Sequence, residues 1–371
     1  MNQESMMSRV FLALLCVLSV PALTLDAGSK TGLKPGTPDI KSAGPLAFGP
    51  SGVLFIGDTQ SAAVFAVDTG ATQAATENAK INVNGINEKI AAMLGTSTRD
   101  ILINDLAVKP KSGTIYLSIQ RGQGAAAVPL VLKVDSKGTI SELKLQNIPF
   151  AMVRLPNPPA PGGTGRRNRR RQSITDLAFV DGRVLVAGLS NEDFASNLRS
   201  IPFPFEDANR GASIEIFHGA HGRFETNSPV RTFVPFNIGG KPHLLAAYTC
   251  TPLVKFPLSE LQPGKQIKGT TVAELGNRNN PLDMIVYKKG DQHYLLIANT
   301  SRGVMKVTTT NLNHAQSITE RVSGGTSAGI KYETIKALKG VTQLDRLDNT
   351  QAVILTRNDE GLQSVHTIAL P

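Results

Sequence analysis

The sequence predicts an all-β fold, a β-propeller of six blades, with seven as the alternative count. Three observations point there. A strand–turn–strand unit recurs along the chain, the units are spaced for radial stacking, and no segment supplies the regular helical layer of an α/β domain. The clearest copies are GPLAFGPSGVLFIGD at 44–58, NDLAVKPKSGTIYLS at 104–118 and TDLAFVDGRVLVAG at 175–188, with the more diverged LDMIVYKKGDQHYLLIAN at 282–299. Each is a short apolar strand, a turn rich in Gly, Pro, Asp or Lys, and a second strand rich in β-branched or aromatic residues.

Two weaker units, HLLAAYTC with TPLVKFPL and TQAVILTR with LQSVHTIAL, bring the total to six, starting near residues 44, 104, 175, 232, 282 and 341. Their mean spacing of about 59 residues is somewhat longer than the roughly 40 to 50 of familiar propeller repeats. Third strands are expected at AAVFAVD, VPLVLKVD, ASIEIF and GVMKV, and NEKIAAML is the best helical segment. The last unit reaches Pro371 with only two or three strands, whereas residues 23–43 precede the first inner strand. An N-terminal strand from 23–43 is therefore expected to complete the last blade, removing two exposed edges and closing the ring.

Arg9 precedes an apolar run from Val10 to Val20, and Val20-Pro21-Ala22 places small side chains at a cleavage position. Residues 1–22 read as a signal peptide, leaving 23–371 as a single propeller domain that is secreted or periplasmic. No other segment is long and apolar enough to span a bilayer. Loss of Cys16 with that peptide leaves Cys250 alone, so no internal disulfide is expected, and Cys250 reads as a buried strand-end thiol.

Formal net charge is +10, and half of it comes from Arg166, Arg167, Arg169, Arg170 and Arg171. They lie in NPPAPGGTGRRNRRRQS, where Pro and Gly argue against a helix and dense like charge argues against burial. A basic loop over 160–173 is expected, either merely solvated or contacting an acidic partner. Without neighbouring aromatic rings for stacking, nucleic acid is not expected as that partner. Residues 189–211 read as an insertion in the third unit, in which Phe194, Phe203 and Phe205 either form an apolar wall for partner binding beside the charged Glu192, Asp193 and Arg199 or merely pack a long loop.

The inner-strand pattern, as in Asp105-Leu106-Ala107-Val108 and Asp176-Leu177-Ala178-Phe179, followed by a Gly-containing turn and a second strand, resembles that of extracellular six-bladed propellers of the NHL and gluconolactonase-like superfamilies. The resemblance spans nearly all the mature chain and bears on fold more than on activity. For the gluconolactonase-like group it implies metal-dependent lactone hydrolysis with acidic and amide ligands in the central opening. Carried over, Asp283 becomes the metal-bound carboxylate or general base, and Asn104 and Asn191 become oxygen ligands. The first blade lacks the N-terminal Glu ligand of that pattern.

Position within the repeats independently gathers Asn104, Asp105, Asp176, Asn191, Asp283 and Asn299 near channel-facing strand starts and turns. Carboxylate and amide oxygens converging there would suit a hard divalent cation such as calcium, while the same residues could simply cap turns. His218 and His221, in HGAH, read as turn or surface histidines because no third ligand follows nearby. There is no haem attachment motif, dinucleotide fingerprint, P-loop or nucleophile elbow. Two functions are expected to compete. One is an exported scaffold binding a ligand or protein partner through loops and channel, and the other is a metal-dependent hydrolase of a small lactone or ester.

Overall fold

In a computed structural model the described residues are 32–70, 80–163 and 168–371. The expected signal peptide, and Arg166 and Arg167, lie outside them. No helix among the described residues is long and apolar enough to cross a membrane.

Six antiparallel sheets form the six blades, and each begins with one of the predicted inner strands. Blade I is built on Leu46–Phe48, Val53–Asp58 and Ala63–Asp68, and blade II on Ile101–Val108, Ile115–Arg121, Val128–Val134 and Ile140–Glu142. Blade III starts at Asp176–Val180, blade IV at Val230–Ile238, blade V at Pro281–Lys289 and blade VI at Val341–Arg346. Second strands such as Val53–Asp58 are buried throughout. A neighbouring blade covers each face, so these strands read as continuous apolar runs instead of alternating ones.

Which blades are neighbours follows from how one strand divides its side chains. Phe55 packs with Val184 and Val186 of blade III, whereas Leu54 and Ile56 pack with Tyr116 and Val131 of blade II. Leu106 and Leu117 of blade II meet Val353 and Leu355 of blade VI. Blade II therefore lies between blades VI and I, and the order around the ring is II, I, III, IV, V, VI.

This order corrects the expected closure. The outer strand of blade VI is Asn82–Val83, paired with Gln363–Ala369, and the chain then forms the helix Ile86–Leu94 and blade II. It next returns to the outside of blade I as Ile148–Arg154, paired with Ala63–Asp68. Lys34–Gly36, within the segment expected to close the ring, instead adds a further strand outside Ile148–Arg154. The ring is thus closed by a strand from the first quarter of the chain, but one lying after blade I.

Blade III also differs from expectation. Its third strand is Ser196–Pro202, inside the presumed insertion, and ASIEIF belongs to its fourth, Ala212–His218. Phe203 and Phe205 do not form an outward wall. Their rings pack on Phe55 at 5.0 and 5.9 Å, at the junction of blades I and III.

Candidate functional site

The inner strands carry four carboxylates into one cavity of about 480 Å³ along the ring axis: Asp105, Asp176, Asp283 and Asp345. Each joins two blades. Asp105 accepts hydrogen bonds from Leu106 N (2.8 Å) and from Leu46 N of blade I (2.6 Å). Asp176 accepts from Leu177 N and from Phe233 N of blade IV, both at 2.7 Å. Asp283 accepts from Met284 N (2.7 Å) and Leu344 N of blade VI (2.8 Å), and Asp345 from Arg346 N and Val108 N of blade II, both at 2.7 Å.

These groups border the channel yet are encircled by protein, and desolvation dominates their acidity. It outweighs the backbone donors and pushes Asp176 up to about 7 and Asp345 up to about 6. Asp105 and Asp283 are also raised well above the ordinary carboxylate range, first by desolvation and further by neighbouring carboxylates.

The six predicted oxygen ligands do not come together. Only Asp105, Asp176 and Asp283 share the channel. Asn104 donates to Ala43 O at 2.7 Å outside that carboxylate ring. Asn191 is exposed in a loop, where its backbone N donates to Asn157 O. Asn299 is buried and held by Asn279, Ile297 O and Gly303 O. The aspartates found by repeat position are inter-blade splices, and Asp345 was hidden by the divergence of TQLDRL from the D-L-A-V pattern.

A second constellation lies between blades III and IV, at the end of the ring where inner strands begin. His218 ends the strand Ala212–His218, His221 follows in the turn, and Cys250 occupies the turn after Lys241–Tyr248. A ring nitrogen of each histidine and Cys250 Sγ all lie within 4.8 Å of one another. Cys250 and Thr251 both have φ of 62°. Such left-handed backbone is uncommon in side-chain-bearing residues, and here it is fixed by donation from Cys250 N to Asn279 O (2.7 Å) and from Thr251 Oγ1 to Gly276 O (2.6 Å).

Behind the imidazoles stands Glu225. Its Oε2 meets His218 Nδ1 at 3.0 Å and its Oε1 meets His221 Nδ1 at 2.6 Å, with the two rings 3.8 Å apart. Burial alone would raise this carboxyl, but hydrogen bonds from His218, Ser228 and His221 outweigh it and hold its pKa far below the ordinary range. With both Nδ1 atoms engaged, Nε2 is the free nitrogen of each ring. His218 is 2% exposed and its Nε2 has no partner, whereas His221 is 43% exposed. Glu274 adjoins the same turn and accepts from Gly219 N at 2.5 Å, while its other oxygen is buried without a partner. Desolvation pushes it up to about 7 despite the backbone donors of Gly219 and Ala220.

This ligand set fits a zinc-type ion, not the all-oxygen coordination of calcium. The reading of HGAH as an ordinary turn missed it because the thiol lies in another blade. A sequence signal did exist in Glu225, a carboxylate four residues after His221.

No family model matches the chain, and no curated protein does. Among solved structures it is similar to a glucose dehydrogenase, with 12% identity, coverage of 91% of this chain and 98% of that one, and a TM-score of 0.34. It is also similar to the extracellular domains 1–2 of Drosophila semaphorin 1b, with 10% identity, coverage of 91% and 87%, and a TM-score of 0.36. A PQQ-bound aldose sugar dehydrogenase from Streptomyces coelicolor shares 9% identity over 90% of this chain and 96% of that one, with a TM-score of 0.31. These similarities assign no chemistry to this chain.

The described part of the basic segment is more ordered than a solvated loop. Arg169–Gln172 form a 3-10 turn, and Arg170 Nη1 donates to Pro159 O at 2.9 Å. Arg169 and Arg171 are exposed.

Proposed function

We propose that the protein is a metal-dependent hydrolase of small esters or lactones, with a zinc-type ion held by His218, His221 and Cys250. The observation that carries this reading is the pair of imidazoles tied through Nδ1 to one carboxylate, one of them leaving a buried Nε2 without a partner. Glu225 sets the ring orientations through both Nδ1 atoms, the usual part of a carboxylate behind metal-binding histidines. Cys250 adds a soft ligand from the neighbouring blade. An ion with three protein ligands keeps an exchangeable position and supplies Lewis acidity toward a carbonyl or water. His218 seals the inner side, while exposed His221 leaves an approach from solvent. Glu274, buried beside the same turn with its pKa pushed up to about 7 by desolvation, is the carboxyl in this region suited to hold or pass a proton.

The test is metal content of the purified chain, followed by hydrolysis of p-nitrophenyl acetate and γ-butyrolactone before and after chelation. The expected result is about one zinc equivalent per chain. Glu225→Gln should weaken metal binding roughly 10- to 100-fold without unfolding the ring. Activity should vanish on chelation and return with zinc. A chain that takes up no zinc from excess overturns the centre, and a loaded chain inert toward both substrates overturns the hydrolase reading.

A further inference from the structure

A pocket of about 370 Å³ lies between blades III and IV at the end of the ring where inner strands finish, opposite the histidine–cysteine centre. Leu185, Leu258, Leu261 and Pro263 form an aliphatic side, and Asp181 and Arg183 bring one charge of each sign to the same cavity. A cavity of this size, with a largely apolar wall and a few fixed polar groups, suits a small organic ligand.

The hairpin joining the first two strands of blade III holds both charges. Val180 pairs with Arg183, and the two residues between them have φ of 49° at Asp181 and 74° at Gly182, the left-handed pair of a type I′ turn. Arg183 is braced across the third strand. Its Nε donates to Ser200 Oγ (2.6 Å) and its Nη2 to Ser200 O (2.7 Å), which leaves Nη1 to a ligand. Ser200 is neutral, so these bonds orient the guanidinium without cancelling its charge. Among the described residues no ion pair engages Asp181 or Arg183. On the side of blade IV, Leu261 N donates to Leu258 O at 3.2 Å, and Leu261 packs in the same buried cluster as Leu185.

We propose that this pocket binds a free α-amino acid with a branched aliphatic side chain. The ligand carboxylate meets Arg183, its ammonium meets Asp181, and its side chain lies on Leu185, Leu258 and Leu261. A ligand with one charge would answer only one of the two groups and meet a like charge in the other, whereas a zwitterion answers both. The site is separate from the histidine–cysteine centre and does not depend on it.

Isothermal titration of the full chain with L-leucine tests this, after chelation so that no metal captures the amino acid. Saturable binding is expected. Glycine, which lacks the side chain, isocaproate, which lacks the ammonium, and isoamylamine, which lacks the carboxylate, should each bind roughly tenfold or more weakly. Asp181→Asn keeps a residue that accepts the left-handed turn and should weaken leucine by a similar factor with the thermal melt unchanged. Arg183→Gln should weaken it as well. Because that variant also releases Ser200, Asp181→Asn carries the test if Arg183→Gln does not fold. No saturable binding of leucine, isocaproate or isoamylamine binding as tightly as leucine, or wild-type leucine affinity in Asp181→Asn overturns the proposal.

Discussion

Asp176 receives one hydrogen bond from its own strand and one from the next blade, so a single side chain fixes both a strand start and a blade interface. Asn offers only one acceptor oxygen and turns an amide donor toward the other N–H. Asp176→Asn should therefore destabilise the ring by roughly 1–3 kcal/mol, the usual cost of a buried donor left without a partner. It should also alter the pH dependence. The folded chain holds this proton up to about pH 7, whereas an unfolded Asp releases it near about pH 4. The stabilisation linked to that proton is complete at low pH and is lost as pH rises through about 7. Asp345 contributes in the same direction, with loss near about pH 6. Thermal melts of wild type from pH 5 to 8 should therefore fall with pH, and the fall should be shallower in Asp176→Asn. Parallel slopes would show that another group sets the dependence.

At the scale of the element, a strand's fit depends on the loop laid against it. Gly188, in the second strand of blade III, faces the segment leading into the inner strand, and an added Cβ would lie 2.1 Å from Ser173 O. Gly188→Ala should cost about 3 kcal/mol, measured by denaturant unfolding, because the opposing atom is backbone and cannot rotate away. Unchanged stability would mean that the loop yields. The hairpins themselves were legible in the sequence because apolar strands bounded by turn residues announce themselves locally, and all six inner strands begin near the expected residues. The histidine–cysteine centre was not legible, since Cys250 joins His218 only when blades III and IV meet. Asp105, Asp176 and Asp283 could be located from the repeat, but periodicity does not reveal that their oxygens are already taken by backbone N–H groups.

For the whole molecule, the decisive property is the interlock between the beginning and end of the chain. Repeats identify blades but not their neighbours, because every inner strand carries much the same pattern, so the placement of blade II between VI and I could not be read from the sequence. The closure joins residues far apart. Val83 pairs with Val365, Gln363 N donates to Asn87 Oδ1 across 276 positions, and Ile81 N donates to Thr367 Oγ1 across 286. Contacts with such separation carry a large loop-closure cost and form late. Val83 is 2% exposed and packs with Val353, Leu355 and Val365, so Val83→Ala should cost about 2 kcal/mol. If closure follows the transition state, nearly all of that loss belongs to unfolding, which should accelerate roughly 30-fold while the folding rate barely changes. Stopped-flow folding and unfolding over a denaturant series separates the two limbs. A variant that folds roughly 30-fold more slowly, with unfolding unchanged, would instead place the interlock in the folding nucleus, with the blades assembling around a ring already closed.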